Sequence, residues 1–132
     1  MSSFRPQRSL QFILALVALL FGAATLFSGG RVLGGADPGY VVFRPLLLYN
    51  TGMGLAYVAT AVLIWRHLPR ALPASLTIVC LNLLVLACVG FLLQAGQGVA
   101  EQSVLAMALR TGVWLALLVG VAWLLRRRAQ AA

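Results

Sequence analysis

"LPASLTIVCLNLLVLACVGFLL", residues 72–93, runs from end to end without a charged side chain. About 20 apolar residues cross ~30 Å of hydrocarbon at ~1.5 Å of rise per residue, and this run has that length. A lone strand would leave its backbone N–H and C=O groups unpaired in lipid, and the run lacks the polar/apolar alternation of a barrel strand. It reads as a transmembrane helix. Three further runs have the same character: 10–27, 45–65 and roughly 105–125. The expected fold is therefore all-α, an integral membrane bundle of four transmembrane helices. They form a single domain over 1–132, with helices at about 10–28, 45–65, 72–94 and 105–125 and an outer glycine-rich loop at 29–44.

Composition points the same way. Of the 132 residues, 62% are hydrophobic and 9% charged, and the mean hydropathy is +0.99. Ten arginines and two acids cannot supply a polar coat for a water-soluble domain of this size. The formal charge of +8 does not imply nucleic acid. The arginines lie between apolar runs instead of gathering on one soluble face among aromatics. Their placement orients the helices: Arg5 and Arg8 precede the first, Arg66 and Arg70 sit in the "RHLPR" turn after the second, and Arg126, Arg127 and Arg128 close the fourth. Arg31, Arg44 and Arg110 fall on the other side with Asp37 and Glu101. The positive-inside rule then places both termini in the cytoplasm. "RPQR" ahead of an apolar stretch resembles a secretory signal, but the run is long for a signal core and three more spans follow, so it is expected to stay as the first helix.

The first connection, "SGGRVLGGADPGYVVFR", has five glycines and an Asp37-Pro38-Gly39 turn signal. It reads as a loop with room for a shaped site, Tyr40 to Phe43 lying at the interface. In the second helix Gly52, Ala56 and Thr60 recur every four residues, as do Asn50 and Gly54, with Tyr57 close behind. Small residues at that spacing let helix backbones approach, which matters in lipid because apolar contact alone gains nothing over acyl chains. The face is expected to be a helix contact; a ligand groove lined by Asn50 and Tyr57 is the alternative. Asn82, near the bilayer midplane, is costly there unless paired, so it is expected to face the bundle and join helices.

Most catalytic chemistry is excluded. Cys80 and Cys88 lie ~12 Å apart on one helix, beyond the ~7 Å between Cα atoms that a disulfide tolerates, and read as small apolar fillers. His67 is the single histidine, so neither a bis-histidine haem nor a transition-metal cluster can be assembled in one copy. Proton-coupled efflux requires a carboxylate inside the membrane, and both acids lie at its edge. No phosphate loop, nucleophile triad or carboxylate pair is present. No catalytic residue, metal site or cofactor is expected.

Arg110 stands out, three residues into "MALRTGVWLALLVG" (107–120). It lies ~6 Å below the outer edge of the fourth helix, shallow enough to snorkel to the headgroups. Turned inward, with Met107 and Trp114 on its face, its guanidinium would want acceptors. Asn50, Gln94, Gln97 and Glu101 lie at similar depth. Glu101 is nine residues back, half a rotation off on a continuous helix, and pairs with Arg110 only if the loop folds back. Snorkelling anchor and inward polar site are both open readings.

"FGAATLFSGGRVLGG", "YNTGMGLAYVATAVLIW" and "SVLAMALRTGVW" together look like a group of small bacterial inner-membrane proteins whose four-helix layout is similar to the DoxX-like families. The resemblance implies a bacterial source and a four-helix bundle, and carries no catalytic residue with it. Ten arginines without a lysine, beside abundant Ala, Gly and Leu, also suggest a GC-rich genome. The expected function is that of a non-enzymatic inner-membrane protein, an accessory or assembly component. It would pack through helix two against itself or within a larger membrane complex, in contact with the lipid bilayer and not with nucleic acid. The alternative is a carrier or binder of a small amphipathic or anionic ligand, a lipid or quinone, at the level of Arg110.

Overall fold

The computed structural model describes residues 4–39, 43–96 and 98–131. Among these the chain is all-helical: α1 (Phe4–Leu33), α2 (Arg44–Arg66), α3 (Leu68–Gln94) and α4 (Glu101–Ala131). All four helices are long and apolar enough to cross a membrane. Neighbours in sequence run antiparallel. α1 packs chiefly on α2 and α3 on α4, while lighter α2–α3 and α1–α4 contacts close the ring. Both ends of the chain therefore lie at the same end of the bundle, with Arg66, His67 and Arg70. Asp37 and Glu101 lie at the opposite end.

The helices run further than hydropathy alone suggests. The loop expected from residue 29 begins only at Gly34, because α1 keeps Gly29 and Gly30 in its last turns. Gly29 has a packing reason to be there: a Cβ on it would collide with the Thr51 side chain of α2. The helix then stops in a Schellman turn. Ala36 N donates to Arg31 O at 2.9 Å and Gly35 N to Val32 O at 3.1 Å, with Gly35 at φ +109°. At the other end, the expected turn between α2 and α3 shrinks to His67 alone, because Pro69 falls in the first turn of α3, where a missing N–H costs nothing.

Burial divides each helix into a lipid-type exterior and a packed interior. Phe27, Leu55 and Phe91 are about two-thirds exposed, which only an apolar surrounding makes favourable. Ala18, Tyr57, Ile64, Trp114, Val121 and Leu124 are fully enclosed in one long core, and Leu46, Val89, Val99 and Met107 form a shorter one. In the long core Tyr57 lies beside Phe21 and Trp114, with ring centroids 5.8 and 4.9 Å away. Cys80 and Cys88 are on the outer face of α3, so they do not fill the interior; that face of α3 meets no other helix.

Candidate functional site

Arg110 faces the bundle. Its Nη1 donates to Thr25 Oγ1 of α1 at 3.0 Å, and the guanidinium lies 5.9 Å from the Phe21 ring. Phe21 and Thr25 are one turn apart on α1, so a single face of that helix supplies both a π surface and a hydroxyl. The contrast with other arginines is clear: Arg31 and Arg127 are exposed and lie over Phe27 and Trp123 of their own helices.

The guanidinium borders a cavity of about 100 Å³ between α1, α2 and α4. Each helix contributes at helical spacing: Thr25 and Ser28 from α1, Leu46 and Asn50 from α2, Ser103 and Arg110 from α4. Asn50 Oδ1 is buried with no hydrogen-bond partner, an expensive state for an amide oxygen away from water. The cavity thus presents a cation with several N–H donors, an orphan acceptor and two hydroxyl-bearing serines within apolar walls.

Of the residues expected around Arg110, Asn50 is brought to it. Gln94 is exposed at the end of α3 and Gln97 lies outside the described residues, as do 40–42 of the expected interfacial segment. Glu101 is exposed and opens α4 itself, nine residues along the same continuous helix from Arg110, so the fold-back needed for pairing does not occur. Trp114 sits one turn deeper, fully buried against Tyr57, with Nε1 unpartnered; it does not line the cavity.

The packing residues of helix two divide by face. Gly54 is buried, and a Cβ on it would lie 2.8 Å from Leu26 Cγ of α1. Thr60 is buried with its hydroxyl bonded to Ala56 O at 2.8 Å, and Ala56 is half-buried. Gly52 points outward, with nothing within 4 Å of the position a Cβ would take. Asn82 is fully buried and accepts from Tyr49 Oη at 2.9 Å, while its Nδ2 donates to Tyr57 Oη at 3.2 Å. This node joins α2 to α3.

Thr25, Phe21 and Ser103 were not singled out from sequence. A signal for Thr25 does exist: Gly22, Thr25 and Gly29 form a small and polar row on one face of α1, the same kind of row that drew attention to α2. Compared with protein-family models, curated proteins and solved structures, the chain matches none.

Proposed function

We propose that this protein is a bacterial inner-membrane protein with a DoxX-like layout and cytoplasmic termini, whose cavity beside Arg110 binds the head of a small amphipathic molecule. The observation that carries this reading is the pairing of an inward arginine with the buried, unpartnered Asn50 Oδ1 in one cavity. Arg110 asks for an anionic or carbonyl oxygen, and Asn50 Oδ1 asks for a donor. A hydroxylated lipid head or a reduced quinone offers both, and its apolar tail can remain among the helices. Among the described residues no histidine or carboxylate lines the cavity to activate its serines, and the role proposed is binding or carrying.

The test is mass spectrometry of the protein extracted in mild detergent. The wild type should retain a small molecule that Arg110→Leu and Asn50→Leu both lose. A wild type that is repeatedly free of ligand, or variants that retain it equally, would refute the reading. An accessory role through α2 draws on a different observation, the outward row Gly52, Leu55, Ala59 and Val62 that the bundle leaves uncovered. It predicts a protein partner that copurifies with the wild type and is lost in Gly52→Leu.

A further inference from the structure

We propose that the arginine-rich end of the bundle holds one anionic phospholipid, its phosphate in a basic cavity and an acyl chain in the apolar groove that adjoins it. The cavity, about 390 Å³, is lined by Arg8, Arg66, Arg70 and Arg128, which come from four different helices. No acidic side chain can neutralise them there, because the chain's two acids, Asp37 and Glu101, sit at the opposite end. Four guanidiniums around one open volume repel one another unless an anion joins them.

The fold holds two of these groups, Arg8 and Arg128, in place. Gln11 Nε2 donates to Ile64 O at 2.7 Å and Trp65 O at 3.1 Å, using carbonyls that the end of α2 leaves open. Gln11 Oε1 accepts from Arg128 Nη2, which draws the end of α4 over the cavity. Arg8 lies 5.6 Å from the Trp65 ring. Arginines serving only to orient the helices would need none of these contacts.

Trp65 and Arg66 also border a second space of about 240 Å³ between α1 and α2, walled by Phe12, Leu16, Leu19 and Val62. Phe12 packs edge-on to Trp65 at 5.7 Å and so forms one wall. These side chains are exposed on the lipid-type exterior, so the groove is open to the bilayer. A free phosphate would use the basic cavity and leave the groove unused. A phospholipid uses both, since its charged head and apolar tail are covalently joined and cavity and groove share Trp65 and Arg66. Its source is the leaflet at that end of the protein.

The experiment uses the full chain in detergent, stripped of lipid and then given dioleoyl phosphatidylglycerol, dioleoyl phosphatidylcholine or inorganic phosphate, with adducts counted by native mass spectrometry. One phosphatidylglycerol per chain should bind, and phosphatidylcholine should not. Arg66→Gln/Arg70→Gln, at two exposed positions, should weaken binding about thirtyfold. Val62→Trp, also at an exposed position, should abolish it with every arginine intact. Equal retention of phosphatidylcholine, or displacement of the lipid by millimolar phosphate, would overturn the proposal. So would undiminished binding to Val62→Trp, which would leave only diffuse attraction between charges.

Discussion

Replacing Gly22 by alanine puts a methyl carbon 2.8 Å from Val58 Cγ2, 2.9 Å from the Val58 backbone nitrogen and 3.0 Å from Tyr57 Cβ. Carbon atoms in contact sit at ~3.5–4.0 Å, so α1 and α2 must part by roughly 0.5–1 Å. The obstacle is backbone and Cβ, which no rotamer change removes. Overpacking of this kind costs about 1–3 kcal/mol, and alanine recovers up to about 1 kcal/mol over glycine within a helix. The net loss is about 0–2 kcal/mol. Gly120→Ala meets the Leu14 side chain alone, its terminal carbons at 2.8 and 2.9 Å and Cγ at 3.5 Å. That side chain can swing aside, so the change should be near neutral. Gly52→Ala meets nothing and should gain about 0.5–1 kcal/mol from helix propensity alone. Thermal unfolding in mild detergent should therefore rank the three with Gly52→Ala highest, Gly120→Ala near wild type and Gly22→Ala lowest. If Gly22→Ala melts at or above Gly52→Ala, the close approach of α1 and α2 does not exist.

Asn82→Leu removes both bonds of the α2–α3 node and should cost about 1–2 kcal/mol; Tyr49→Phe removes one of them and should cost less, read in the same melting assay. Arg110→Lys should destabilise by about 1–3 kcal/mol, because an ammonium cannot keep the Thr25 bond and the planar contact with Phe21 together. The effect of Arg110→Lys should shrink in a Thr25→Val background, where only the Phe21 contact is left to lose, whereas Glu101→Gln stays within about 0.5 kcal/mol of wild type; a silent lysine variant would return Arg110 to a headgroup anchor. Reporter fusions at Gly35 and Ala132 should give opposite signals, with Ala132 cytoplasmic; an external Ala132 would show that the arginine count misassigns the orientation.

Hydropathy carried the four helices because each span depends on its total apolar length, which tolerates errors at individual positions. Depth was partly legible for the same reason: Asn50 and Arg110 were matched by counting residues from the helix ends, and both line one cavity. Rotation about the helix axis was not legible. Gly52 and Gly54 are equally small and lie at nearly the same depth, yet two residues turn the helix by roughly 200°, so one packs on α1 and the other faces outward. Glu101 misled in depth instead: α4 begins at Glu101, so nine residues, ~13.5 Å of helix, separate it from Arg110. The end of α1 was hidden by a double use of glycine. Gly29 allows close packing within the helix and Gly35 ends it, and only a neighbour such as Thr51 distinguishes the two roles.

The pairing of α1 with α2 and of α3 with α4 has a consequence for how the protein is made. Each intimate contact joins spans that leave the ribosome one after the other, so little chain entropy is lost in bringing them together. The first hairpin can dock Gly22 on Val58 and Gly54 on Leu26 while α3 is still being synthesised. The later hairpin then meets a finished surface that already presents Tyr57 and Thr25. Asn82, Trp114 and Arg110 are the groups that this second hairpin brings to it. The cavity beside Arg110 is thus the last part of the molecule to form, and a nascent chain halted after α2 would be packed but would lack it.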